Sequence, residues 1–263
     1  MKKSGKVFLS VLLLLVLIVV VFLGLSGYVP GLSNILGANK PRNLGIVFSD
    51  TDRISAREKS KLVYEALPET TPITQSIQRS GSRPVNNSWS SSEVTALLNN
   101  RPYRYWPVKN VQLKINNDGS AELSGILVIS KIKGFAAGIG APPIVAEMME
   151  KYLPPDPAFY IKAKTALSEN KVSEFEIQSA YMNKISIPVS TLLSLVKPNF
   201  IPSVYAEDVT SILSKYSGKK QAVIDFINER LARINGFNAK KAYFKDGKLY
   251  FDGNLSEKEA VVQ

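Results

Sequence analysis

The chain has 263 residues, 45% of them hydrophobic and 21% charged, with neither cysteine nor histidine. Thiolate nucleophiles, disulfides, histidine-based triads and His/Cys zinc sites are thereby excluded, and so is lipoprotein attachment through cysteine. Lys+Arg 33 against Asp+Glu 22 gives a net charge of +11, in a composition too varied for a low-complexity or disordered class.

Lys2, Lys3 and Lys6 come first, and Val7 to Leu25 then runs nineteen residues without a charge. As a helix that run extends about 28 Å, close to the ~30 Å hydrocarbon core of a bilayer. Residues 1–6 therefore read as a cytoplasmic tail and residues 7–26 as a single membrane-spanning helix. No basic residue follows until Lys40, so the positive-inside bias puts the remaining chain on the extracytoplasmic side. The competing reading is a cleaved signal peptide, with Gly24 and Ser26 as a weak small-x-small pair. The apolar run, however, exceeds the usual h-region of about 7 to 15 residues. Without its three opening lysines the chain carries 30 basic and 22 acidic side chains, a net of +8. That balance suits an anionic surface, or merely solvates the wet face of a sheet.

Residues 27–89 read as a stalk, a weak helix and a linker. Gly27, Pro30, Gly31, Gly37 and Pro41 interrupt helix continuation. Ser49 or Asp50 could cap a helix with a sparse stripe of Ile54, Leu62, Val63, Ala66 and Leu67. From Pro68 to Ser88, Pro, Thr, Ser, Gln and Arg predominate, as in a long loop.

Residues 90–255 read as an α+β ectodomain, with 256–263 as a tail. Ser90-x-x-Glu93 forms a capping box ahead of Val94, Leu97 and Leu98, and that helix ends before Pro102. Val111, Leu113 and Ile115 alternate with polar residues, turn at Asn116-Asn117-Asp118-Gly119, and return through Ala121, Leu123 and Gly125. The grammar recurs with Phe159, Ile161, Ala163 and Thr165, a Glu169-Asn170 turn, then Phe175 and Ile177. It recurs again with Phe237, Ala239, Lys241 and Tyr243, an Asp246-Gly247 turn, then Leu249 and Phe251. Short helices are predicted at Ile144 to Tyr152 and at Val189 to Val196. A longer one at Lys219 to Asn235 carries Val223, Phe226, Ile227, Leu231 and Ile234, and stops at Gly236. Three helix-then-hairpin units predict about six antiparallel strands and one long helix covering an apolar face.

Catalytic signatures are weak. Ser130 to Lys133 and Ser217 to Lys220 have Ser-x-x-Lys spacing but lack the companion strings of penicillin-recognising enzymes. Glu174 and Glu176 share a strand face, opposite Phe175 and Ile177, where water keeps a carboxylate ionised. The Gly134 to Gly140 segment has neither dinucleotide nor P-loop spacing, so it implies no nucleotide cofactor. No metal, cofactor or catalytic residue is therefore assigned, and the chain is not read as an enzyme.

Two binding surfaces stand out instead. Phe135, Ile139, Ile144 and Met148 could form a glycine-loosened apolar edge where an acyl chain enters, with Phe226 and Ile227 lining a groove between sheet and helix. Arg101, Tyr103, Arg104 and Trp106 interleave cations with aromatics, as at nucleic acids, headgroups or protein contacts. The expected topology removes nucleic acid as a partner. The plain alternative for each surface is ordinary packing onto the sheet.

The apolar leader, the helix Ser91-Ser92-Glu93-Val94-Thr95-Ala96-Leu97-Leu98-Asn99, the strand Val108 to Asn116 and the Asp118-Gly119 turn carry a family likeness. So does the closing Phe244-x-Asp246-Gly247-Lys248-Leu249-x-Phe251-x-Gly253. Together they resemble bacterial membrane-anchored exported proteins of the YpmS-like and LmeA-like kind, distantly similar to the tubular lipid-binding superfamily. The resemblance covers about Ser90 to Asn254 and implies a curved antiparallel sheet wrapping a long helix around an acyl-chain groove. It supplies no catalytic residue. The expectation is thus a single-pass envelope protein that binds a lipid or an anionic amphipathic polymer, with a scaffold for envelope proteins as the rival.

Overall fold

The structure is a computed structural model that describes residues 3–188 and 220–263. The helix expected at Val189 to Val196, and Ser217 of the second Ser-x-x-Lys string, lie outside the described residues. Helix α1 (Lys3–Ser26) is continuous over 24 residues. Its side chains are described from Leu13 onward, and among the described residues no helix is long and apolar enough to cross a membrane.

The expected stalk is instead an ordered elbow. Pro30 occupies the first turn of α2 (Pro30–Ile35), where its missing N–H is not needed. Ser33 is buried and donates from Oγ to the Gly24 carbonyl at 2.7 Å. Gly24 allows this close fold-back, since a Cβ there would lie 2.7 Å from the Leu32 side chain, which would have to shift. The chain leaving α1 is also tied to the body, because Asn183 Nδ2 donates to the Ser26 carbonyl at 2.6 Å.

Helix α3 (Asp50–Ser60) has Ser49 as N-cap in a reciprocal capping box with Asp52. It stops at Lys61, whose φ of 53° is left-handed. Val63, Ala66 and Leu67, expected on its stripe, instead lie in β1 (Val63–Leu67). The expected linker Pro68 to Ser88 holds a short 3-10 turn (Ile73–Gln75), β2 (Ile77–Ser80) and most of β3 (Arg83–Ser90). The sequence hides β3 because only Val85 and Trp89 on its inner side are large and apolar, while the rest is polar. The expected tail contains β11 (Lys258–Val262), which lies between β1 and β2 with Val261 and Val262 buried. Residues 50–89 and the C-terminal strand are therefore parts of the folded body.

The three hairpins form as expected: β4 (Val108–Ile115) with β5 (Ser120–Leu127), β6 (Ala158–Ser168) with β7 (Lys171–Met182), and β9 (Asn238–Lys245) with β10 (Lys248–Leu255). Their turns need positive φ, supplied by Gly119, by Glu169 and Asn170, and by Asp246 and Gly247. With β8 (Ile185–Ser186) and β3 they make an eight-stranded antiparallel sheet along the path β3-β10-β9-β6-β5-β4. One edge of β6 pairs with β5 over Ala158–Lys164 and then with β9 over Ala166–Ser168, while β7 follows the other edge. Sharing one edge between two partners curves the sheet into a half-barrel. The α+β class is thus as expected, with β3 added to the hairpins and β11 forming a second, three-stranded sheet.

Helix α4 (Ser91–Asn99) begins at the Ser90/Glu93 capping box, and Val94 and Leu97 pack on the core of Ala56, Val85, Trp89, Ala239 and Phe251. The Gly134 to Gly140 segment is not a loose loop. Helix α5 (Ile129–Gly138) takes in Gly134 to Gly138, Ile139 and Gly140 form its closing turn, and the helix pairs with α6 (Pro143–Tyr152). Gly134 and Gly138 are four apart on one helical face, and a Cβ on them would lie 2.3 Å from the Tyr105 ring and 2.4 Å from Tyr103 Oη. These glycines give close approach rather than mobility. Helix α7 (Lys220–Ala232) precedes the last hairpin.

Candidate functional site

A bulge sets the face of the last hairpin. Asp252 pairs with Lys241 but Gly253 pairs with Ala239, so Lys240 is the extra residue. Ala239 and Ala242 consequently both reach the core, and Phe244, Leu249 and Phe251 share the inner face with Ala242. Lys241 and Tyr243, expected on that inner face, point outward, and Tyr243 stacks on Tyr250 at 5.3 Å.

Between this inner face and α7 lies an open groove of about 480 Å³, within the ~300–1,000 Å³ range of small-molecule sites. Phe244, Leu249 and Phe251 form its floor, Trp89 and Leu97 one wall, and Ile227 and Leu231 of α7 the other. Almost every lining group is hydrocarbon or aromatic, so the space favours an apolar occupant over water. The groove is remote from α1. Asn183, which holds Ser26, also donates its backbone N–H to the Ala158 carbonyl at the start of β6. Leu167, in the groove, is nine residues further along that curved strand, at most roughly 30 Å away at ~3.3 Å per residue.

The six expected ligand residues are not brought together. Ile227 lines the groove, whereas Phe226 lies beneath the Arg230 guanidinium at 5.0 Å. Phe135 packs edge-on against Trp106 at 5.7 Å. The Ile139 side chain is partly exposed, and its carbonyl, with that of Gly140, accepts from Arg230 Nη1 at the C-terminal end of α5. Ile144 and Met148 are half-buried on α6, outside the groove. The floor residues Ala242 and Phe244 were missed because the Lys240 bulge has no mark in the sequence.

Arg101, Tyr103 and Trp106 form an internal joint rather than an open face. Arg101 Nη2 lies 2.5 Å from Glu259 Oε1, and Arg79 Nε donates to Glu259 Oε2 at 2.8 Å. Glu259 is 2% exposed. The Arg101 guanidinium stacks 4.7 Å over Trp106, whose Nε1 donates to the Leu98 carbonyl at 2.7 Å. Tyr103 is buried with its hydroxyl 2.8 Å from Ser76 Oγ, and burial raises its pKa above the ordinary tyrosine value. Only Arg104 is substantially exposed, 3.5 Å from Glu69. Two surfaces that the sequence kept separate are one cluster, since Phe135 touches both Tyr103 and Trp106.

Ser130 and Lys133 are exposed on α5, and Glu174 and Glu176 are exposed on β7. Among the described residues no three acidic side chains gather in a way that could hold a metal ion.

Glu93 has a structural task beyond its cap. Lys59 Nζ lies 2.6 Å from Oε1, and Ser55 Oγ donates to the same oxygen, which joins α3 to α4. Burial pushes this carboxyl up, but hydrogen bonds from Lys59, Ser55 and the Ser90 amide outweigh it and hold the pKa below 4.5. A depressed carboxylate stabilises the fold above its unfolded pKa, and that contribution disappears as pH falls through the folded value. Wild type should therefore lose more urea resistance between about pH 5 and about pH 3 than Glu93→Gln does. Parallel pH dependence in the two proteins would refute this role.

Comparison of the chain with protein-family models, with curated proteins and with solved structures finds no match.

Proposed function

We propose that this is a single-pass membrane protein whose extracytoplasmic body holds the hydrocarbon part of an amphipathic envelope molecule without covalent chemistry. The groove beneath α7 carries the reading, because an open apolar trough of about 480 Å³ is costly to leave to water. Anchoring is supported by α1, where every residue from Leu13 to Leu23 is large, apolar and at least 36% exposed. A helix apolar on all sides, and exposed from Leu13 to Leu23 among the described residues, matches a lipid solvent. The net positive charge fits an anionic head on that occupant. These features agree with the likeness to membrane-anchored exported proteins and to tubular lipid-binding domains. The scaffold alternative loses its main support, since the Arg101 to Trp106 side chains are mostly spent inside the protein.

The full chain, extracted from membranes in mild detergent, should carry copurifying lipid in native mass spectra. Ile227→Glu places a charge in the groove and should reduce that lipid about tenfold or more, with little change in thermal unfolding because Ile227 is only half-buried. Equal lipid in both proteins, or a chain recovered intact from the soluble cytoplasmic fraction, would overturn the proposal.

A further inference from the structure

We propose that a second cavity, beside the C-terminal end of α1, binds a phosphate group. The cavity measures about 140 Å³ and is lined by Lys40, Arg42, Tyr160, Tyr181, Asn183 and Lys184. This is below the ~300–1,000 Å³ of a drug-sized site and selects a compact ligand.

Three exposed basic residues, Lys40, Arg42 and Lys184, border it, and among the described residues none of the three has a carboxylate within ion-pair distance. The Arg42 guanidinium lies 3.8 Å over the Tyr160 ring and 4.7 Å from the Tyr181 ring. The Tyr160 ring covers one face of that planar group, and the Tyr181 ring, 5.9 Å from Tyr160, lies to one side of it. The remaining N–H groups are available to an oxyanion, which arginine binds through such a fork. The nearby acid is Glu122, whose Oε2 accepts from Tyr160 Oη at 2.8 Å and whose Oε1 accepts from Asn116. Glu122 therefore fixes the ring under Arg42 instead of neutralising it.

The frame is rigid. Asn183 has a φ of 54°, and its side chain bonds both Ser26 and Ala158. Lys184 donates its backbone N–H to Leu25. The α1 carbonyls that would repel an anion are thus partly capped by the residues that build the cavity.

The cavity stands where a chain anchored by α1 meets lipid headgroups, so the anchoring proposal bears on the source of the phosphate but not on its recognition. Two sources are separated by assaying the full chain in two ways. In detergent, inorganic phosphate is titrated and followed by phosphorus-31 NMR line broadening. In phosphatidylcholine nanodiscs containing phosphatidic acid, retained lipids are counted by native mass spectrometry.

Arg42→Gln and Lys184→Gln should each lower phosphate or phosphatidic acid binding about tenfold, whereas the remote Lys248→Gln should change neither. Binding in both assays assigns the site to phosphate generally, and retention of phosphatidic acid alone assigns it to a headgroup. Absence of binding in both assays, or an equal loss in Lys248→Gln, would overturn the proposal. Ile227→Glu separates the two proposals, because it should empty the groove and leave phosphate binding intact. Far-ultraviolet circular dichroism of Arg42→Gln and Lys184→Gln, unchanged from wild type, assigns their loss to the site. If either variant unfolds, loss by the other alone decides.

Discussion

Glu259→Ala is expected to destabilise the folded body by about 3 kcal/mol, the lower end of the cost of breaking a buried ion pair. The carboxylate is 2% exposed and receives both Arg79 and Arg101, so its removal leaves two cations without the counter-ion they share. Those arginines keep 24% and 21% exposure, and water reaching them limits the penalty. The urea midpoint of the detergent-extracted chain measures the effect. The double variant Arg101→Met with Glu259→Met should recover part of the loss, because it removes the partner that would otherwise be stranded. A midpoint for Glu259→Ala equal to that of wild type would show that this centre does not stabilise the body.

Trp89→Ala should cost about 3–5 kcal/mol, the range for removing a large aromatic side chain from a core. Trp89 is 5% exposed, contacts the cluster around Ala239 and Phe251, and donates from Nε1 to the Ala56 carbonyl at 3.1 Å. It thereby attaches α3 to the sheet while also forming one wall of the groove. The loss should be concentrated at α3, so limited proteolysis within Asp50–Ser60 should become fast before the rest of the body is cut. Trp89→Phe keeps most of the packing and should lose only the hydrogen bond, about 1 kcal/mol. Uniform proteolysis in the alanine variant would show that α3 is not an independently detachable element.

The hairpins were legible because each carries alternation and a turn residue that tolerates positive φ, both local properties. The capping box at Ser90 and Glu93 was legible for the same reason. β3 and β11 were not, since Arg83–Ser90 is mostly polar and Lys258–Val262 is only five residues at the chain end. Each gains its strand geometry from partners distant in sequence, β10 for the one and β1 with β2 for the other. Of the expected ligand residues, Ile227 reached the groove because helical periodicity identified the inner face of α7. Phe226 is its neighbour in sequence but about 100° away around the helix.

By itself the sequence determined the α+β class, the three hairpins, the exclusion of thiol and imidazole chemistry, and the apolar character of the leader. These follow from composition and from periodicities within a few residues. Tertiary structure decided that the supposed stalk folds back onto α1, that Gly134 and Gly138 serve close packing, and that Arg101 to Trp106 face inward. It also decided where the groove lies, because one unpaired residue at Lys240 resets which side of β9 is buried, and only pairing with β10 reveals it.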